Sequence, residues 1–206
     1  MKIGIMGGTF DPIHTAHLVV AEDARERLKL TVVIFVPAGE PQLKVEPPEC
    51  DGQTRLEMVR LATEKNPFFL VSDSEINRQG ATYTIDTLEH LSKEWGPDAD
   101  FYFIMGLDAL MGLPRWRQPE QFLRLCTPVV FNRPDYRVAD LGQLRENLPT
   151  LTDKLVVIQG PGIGISSSEI RSRVATGKPI RDLVPDEVEK YIHTNGLYGG
   201  IKERGS

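Results

Sequence analysis

Cysteine is almost missing from this chain: Cys50 and Cys126 are the whole complement. They lie far apart with no second thiol beside either, which excludes a zinc knuckle and a redox pair, so both are expected to be reduced and passive. No apolar run approaches the ~20 residues of a spanning helix. The N-terminus has no secretory pattern either, because one lysine and a short apolar stretch break at once into Gly7-Gly8. A cytoplasmic location without a membrane partner is the expectation. Positive charge is in deficit too, with a formal net charge of −5. That balance argues against a broad nucleic-acid footprint and requires any anionic ligand to be gripped locally. Internal repeats and low-complexity tracts are absent. What remains is ordinary for a soluble globular chain, 40% hydrophobic and 26% charged. A chain of 206 residues suits one domain over 1–206, with a small helical C-terminal part from about 165.

Lys2-Ile3-Gly4-Ile5-Met6 reads as a buried strand, Thr15 to Leu28 carries apolar residues at helical spacing, and Val32 to Val36 is a second β-branched run stopped by Pro37. Strand, helix, strand is a βαβ unit. The alternation continues with a helix near Thr54–Thr63, a strand around Phe68–Val71, a helix from about Tyr83 to Lys93 and a strand at Phe101–Met105. A helix near Glu120–Leu125, strands at Pro128–Phe131 and Leu155–Ile158, and helices after Ser167 and Pro185 complete it. Near-continuous apolar strands between helices imply a doubly wound α/β class, a mostly parallel sheet with helices on both faces. Pro37–Gly52 is the longest stretch without a regular pattern. Loops after strands in such sheets are where ligands bind.

Gly7-Gly8-Thr9 follows the first strand and precedes the first helix, where a doubly wound sheet exposes backbone N–H groups to an anion. It is neither the dinucleotide fingerprint nor a Walker loop. By itself a Gly-Gly pair serves equally well to shape a turn. His14 and His17, two of only four histidines, fall on one face of the first helical turn, beside the positive end of its dipole. Capping or packing would explain either alone, and a pair of imidazole donors at a phosphate explains both. A zinc site lacks the acidic or cysteine partners it would need.

Downstream, Ile165-Ser166-Ser167-Ser168-Glu169-Ile170-Arg171 opens a helix after a Gly/Pro-rich turn. Serines there are ordinary caps, but an arginine one turn on can join them at a phosphate. Gly106-Leu107-Asp108 ends a strand, where the carboxylate suits a ribose or caps the next helix. Thr82-Tyr83-Thr84-Ile85-Asp86-Thr87-Leu88 reads as a cap cluster, Trp116 between Arg115 and Arg117 as a half-buried aromatic, and Arg133 in Phe131-Asn132-Arg133-Pro134 as a cation after a strand.

Taken together, GGTFDPIHTAH and ISSSEIR resemble the two signatures of the nucleotidyltransferase superfamily marked by His-x-Gly-His. That superfamily is distantly related to class I aminoacyl-tRNA synthetases. The chain is most similar to its bacterial nicotinate-nucleotide adenylyltransferases, with matches from Lys2 to about Gly196. It departs once: Ala16 stands where the family has glycine, a change expected to tune affinity. The resemblance implies a Rossmann-like fold and ATP contacts at Gly7, Gly8, Thr9, Phe10, His17, Gly106, Asp108, Ile165, Ser166, Ser167 and Arg171. It implies mononucleotide contacts at Asp11, Lys44, Thr82, Tyr83, Thr84, Trp116 and Arg133, with His14, His17 and Arg171 as the catalytic set. Mg²⁺ is implied as a companion of ATP, held by phosphate oxygens and needing few protein ligands.

No serine lies in nucleophile-elbow context and no reactive cysteine environment is visible, so the acceptor's own phosphate is left as the nucleophile. It would attack the α-phosphorus in line while His14, His17, Lys44 and Arg171 neutralise developing charge. ATP and nicotinate mononucleotide are the expected partners. Nicotinamide mononucleotide or phosphopantetheine as acceptor, a nucleotide sensor without turnover, and a nucleic-acid module stay open as alternatives, as does a homo-oligomer.

Overall fold

The computed structural model describes residues 1–40, 47–132, 141–160 and 162–199. Among them, strands β1 (Lys2–Gly8), β2 (Val32–Pro37), β3 (Phe69–Val71), β4 (Asp100–Gly106), β5 (Cys126–Asn132) and β6 (Val156–Gln159) form one sheet in the order β3-β2-β1-β4-β5-β6. Every pairing is parallel, so "mostly parallel" becomes all parallel. The order reverses between β1 and β4, and a crevice at their C-terminal ends is where such a sheet receives ligands.

Alternate strand residues serve opposite layers. Val33 and Phe35 of β2 join one apolar cluster with Met58, Val59, Ile170, Val188 and Ile192. Ile34 and Val36 join the other, with Leu88, Leu91, Phe103 and Phe122. That is the period-2 consequence of a pleated strand buried on both sides. Helices α1 (Thr15–Leu28), α2 (Gly52–Thr63), α8 (Ser167–Ala175) and α9 (Asp186–Asn195) supply the first layer. Helices α3 (Thr84–Trp95), α4 (Leu107–Gly112) and α5 (Pro119–Leu125) supply the second, and α6 (Leu141–Asn147) and α7 (Leu151–Lys154) lie between β5 and β6.

The expected elements are present with small boundary shifts. Helix α2 begins at Gly52 because Asp51 caps it, its carboxylate accepting the Thr54 N–H at 2.7 Å. Short α4, α6 and α7 escape periodicity, having too few turns to show one. Both cysteines are free and buried; burial pushes the Cys50 thiol up to about 11 and the Cys126 thiol higher still, so neither is a ready nucleophile. Among the described residues no helix is long and apolar enough to cross a membrane.

Candidate active site

Strand β1 runs out at Gly7-Gly8, and the chain turns under its own Phe10. A Cβ on Gly8 would lie 2.9 Å from the Phe10 ring, so the turn closes only with glycine there. Phe10 is 2% exposed and has φ 51, the left-handed region. Helix α1 then starts with His14 as its N-cap.

The two imidazoles stack, with centroids 3.7 Å apart and planes at 24°. The His14 backbone N–H donates to His17 Nδ1 at 3.2 Å, which leaves the ring proton of neutral His17 on Nε2 as a donor. Nδ1 of His14 is buried and without a hydrogen-bond partner among the described residues. Burial brings the His14 pKa down to about 4. Burial, and then the neighbouring His14, hold His17 well below the ordinary imidazole range. Without ligand both rings are therefore neutral near pH 7, and what they offer a phosphate is hydrogen-bond donation rather than standing charge.

This has a consequence for stability. In the unfolded chain His14 takes a proton near pH 6.5, whereas the folded ring resists until about pH 4. Acidification through that window therefore favours the unfolded state. Stability should fall by roughly 2 kcal/mol between pH 7 and pH 5 from this residue. Urea unfolding at the two pH values checks it: His14→Gln should show a smaller loss than wild type, and an equal loss would remove His14 as the cause.

Helix α8 comes in from the far end of the chain. Ser166 is its N-cap, the hydroxyl oxygen accepting the Glu169 N–H at 3.2 Å. Ser167 Oγ donates to the Pro12 carbonyl at 2.8 Å, which ties the second motif to the first. The Ser166 oxygen and the Ser167 hydroxyl thus hold the helix start, and the first-turn N–H groups are what an α-helix leaves for an anion. Arg171, one turn on, donates from Nε to the Glu49 carboxylate at 2.5 Å and from Nη1 to the Asp11 carbonyl at 2.9 Å.

Between these helix starts lies a cavity of about 540 Å³, whose walls include Gly7, His14, Ala16, His17, Gly106, Ile165, Ser166 and Ser167. Most of the residues expected at ATP are thereby brought together. Asp108 stands exposed in the first turn of α4, beside Gly106 and outside that wall. No carboxylate lines the cavity among the described residues, which fits a magnesium ion that arrives with a triphosphate and is ligated by its oxygens.

A second hollow, shared by Gly7, Gly8, Thr9, Ala38, Glu75, Thr84 and Trp116, leads to a third of about 170 Å³. The third is walled by Thr82, Tyr83, Thr84, Arg115, Trp116 and Arg117, so four of the residues expected at the mononucleotide meet there. Trp116 packs edge-on against Phe103 and Phe122, at 6.0 and 5.3 Å between centroids. Arg117 lies over the Tyr83 ring at 4.7 Å. Thr82 is 6% exposed and its hydroxyl donates to the Glu40 carbonyl at 3.3 Å.

Asp11 is placed elsewhere than the sequence suggested. It is 4% exposed, and its carboxylate accepts the N–H groups of Glu49 (2.7 Å) and Cys50 (3.4 Å) and the hydroxyl of Tyr198 (2.8 Å). It therefore holds the end of the long loop and the C-terminal tyrosine rather than facing either hollow. Lys44 and Arg133 lie outside the described residues. Glu75, Arg115 and Arg117 line the second and third hollows without having been singled out, because charged residues in loops and turns carry no periodic signal. Tyr198 lies 187 residues from its partner, so no local pattern marks it.

A family model described as cytidylyltransferase-like matches residues 5–173. The chain is 47% identical over 196 residues to the probable nicotinate-nucleotide adenylyltransferase of Roseiflexus sp. (strain RS-1), covering 95% of this chain and 97% of that one. It is 44% identical over 209 residues to the protein of the same name from Moorella thermoacetica, covering 99% and 96%. Among solved structures, Plasmodium falciparum nicotinic acid mononucleotide adenylyltransferase complexed with NaAD matches with a TM-score of 0.77 and 22% identity over 96% of this chain and 97% of that one. At that identity the likeness is one of fold.

Proposed function

The chain belongs to the cytidylyltransferase-like family, and on that premise we propose that it transfers the adenylyl group of ATP to nicotinate mononucleotide, releasing pyrophosphate and forming nicotinic acid adenine dinucleotide. The observation that carries this reading is a set of adjoining hollows: the cavity flanked by two helix starts and two neutral imidazoles shares Gly7 and Gly106 with the second hollow, which shares Thr84 and Trp116 with the third, at the start of α3. ATP occupies the larger cavity with its triphosphate across α1 and α8. The mononucleotide ring lies against Trp116, which directs its phosphate toward the Gly7–Thr9 turn.

The reaction needs no nucleophile from the protein. The acceptor phosphate attacks the α-phosphorus, the new P–O bond forms as the bond to pyrophosphate breaks, and His17 Nε2–H donates to the charge that develops. The orphaned Nδ1 of His14 gains a partner only when a ligand or its proton arrives. Arg171 reaches the triphosphate by exchanging its partner Glu49, which is half exposed, for phosphate oxygens. An ion pair at such a site costs little to give up. Mg²⁺ enters as part of the substrate Mg·ATP.

Pyrophosphate release from Mg·ATP, measured with nicotinate mononucleotide, nicotinamide mononucleotide and 4′-phosphopantetheine in turn, tests the reading. Turnover is expected with the first. Turnover with phosphopantetheine alone, or with no acceptor, would sink it.

The ATP site has its own test at Gly106. Its backbone, φ −80 and ψ 165, suits any residue, and a Cβ there would meet nothing within 4 Å. Gly106→Leu should therefore fold, losing about 1 kcal/mol as the N-cap of α4, and fill part of the cavity. KM for ATP should rise about tenfold or more. Unchanged ATP kinetics in a folded variant would place the nucleotide elsewhere.

A further inference from the structure

Arg55 is the largest of the fully enclosed side chains, 1% exposed, and it lines none of the three hollows. From α2 its guanidinium donates to three backbone carbonyls: Nη1 to Thr9 at 2.7 Å, Nε to Cys50 at 3.2 Å and Nη2 to Gly39 at 3.3 Å. Burying a guanidinium is costly unless its donors are satisfied. Here carbonyls satisfy them, and the carboxylate of Asp11 stands near enough to favour the cation. A leucine in the same helix stripe would avoid that desolvation but leave the three carbonyls without this donor. The three carbonyls belong to the turn after β1 and to the backbone at both Gly39 and Cys50.

Direction is what this arrangement adds. The Thr9–Phe10 peptide is trans, so its C=O and N–H point opposite ways. Helix α2 packs on one face of the sheet, with Phe35 and Val59. The hollow lined by Gly8, Thr9, Thr84 and Trp116 opens on the other, beside Phe103. Drawing the Thr9 oxygen toward α2 therefore turns the Phe10 N–H away from α2, to the side on which that hollow opens, although Phe10 itself lines none of the three hollows. The left-handed conformation of Phe10 needs such an external hold, because a non-glycine residue adopts it against its steric preference. Gly39 is held as closely: a Cβ on it would lie 2.3 Å from the Glu75 carbonyl oxygen.

We infer that Arg55 is a positioning residue for adenylyl transfer: through the Thr9 carbonyl it aims the Phe10 amide at the phosphate being transferred, and through Gly39 and Cys50 it locks the backbone beside the crevice to the same point. The inference rests on the activity proposed above. Wild-type turnover with nicotinate mononucleotide decides that activity independently of Arg55.

Arg55→Lys keeps the charge and loses the planar fork, so a single ammonium cannot reproduce the three bonds that separate nitrogens make to Thr9, Cys50 and Gly39. Its kcat per active site, taken from single-turnover amplitude, should fall about 10- to 100-fold, the cost of a small misplacement of reacting groups. KM for either substrate should change less than about threefold. In ¹⁵N-labelled protein the Phe10 amide resonance should move on addition of Mg·ATP without acceptor in wild type and lose most of that shift in Arg55→Lys, while the Ser168 amide of α8 responds in both. A merely structural role would lower the number of active sites and the melting temperature but leave each site turning over at the wild-type rate, and that result overturns the inference. If Arg55→Lys does not fold, the wild-type titration decides alone. A Phe10 amide indifferent to Mg·ATP overturns it too.

Discussion

His17→Ala should lower kcat by about 10²–10³ while KM for ATP changes far less. The magnitude is the usual cost of removing one donor aimed at charge that appears in the transition state. Geometry supports that assignment for His17 in particular: its Nδ1 accepts the His14 N–H, so the tautomer is set and Nε2–H is the atom turned to donation. The imidazole is neutral without ligand, so its loss removes little standing attraction for the triphosphate. The substitution also opens the Nδ1 contact at the start of α1, which should cost about 1 kcal/mol of stability. Rate and melting temperature must therefore be measured together. His17→Gln, which can restore a donor, should recover part of the rate. A stable His17→Ala enzyme with near-normal kcat would exclude this residue from the chemistry.

Nicotinate mononucleotide should be preferred over its amide by roughly ten- to a hundredfold or more in kcat/KM. The hollow beside Trp116 ends at the start of α3, with Thr82 and Thr84 in its wall and Arg115 and Arg117 on either side of the tryptophan. A ring carboxylate meets a helix N-terminus and two cations there, with the Glu75 carboxylate, which accepts the Thr87 hydroxyl at 2.7 Å, also in the wall. An amide would turn its own NH₂ toward donors, leaving a mismatch of about 1–3 kcal/mol per unsatisfied group. The arginines add charge opposite to that of the carboxylate, although Arg117 shares its charge with Asp86 at 3.8 Å. Thr84→Ala should narrow the acid-over-amide ratio. Trp116→Ala should weaken both substrates together, because stacking does not distinguish the two rings. Steady-state kcat/KM for both mononucleotides in the three proteins settles the matter, and equal wild-type use of acid and amide would defeat the selectivity claim.

Apart from the short α4, α6 and α7, the order of strands and helices, a mostly parallel sheet and a ligand site at the Gly7-Gly8 end were readable from the chain itself. The reason is that they rest on local properties: apolar runs such as Val32–Val36, caps such as Ser166, and residue types packed into single stretches such as GGTFDPIHTAH. The likeness of that stretch and of ISSSEIR to a family's signatures pointed to the chemistry for the same reason. Only the tertiary structure could decide which polar groups are used up. Asp11 belongs by sequence to a binding motif, yet Glu49, Cys50 and Tyr198 claim its carboxylate. Arg55 looks like one more surface cation in a charged helix, although its place at helical spacing before Val59 and Thr63, all buried, left a trace of the role the fold assigns it. The protonation of His14 and His17 depends on how much protein covers them, and desolvation sums over residues from α1, β4 and the turn before α8. Spacing along a chain reports which groups share a face. Burial and partnership are set by segments far apart in sequence, and they determine which of those groups are still free to act.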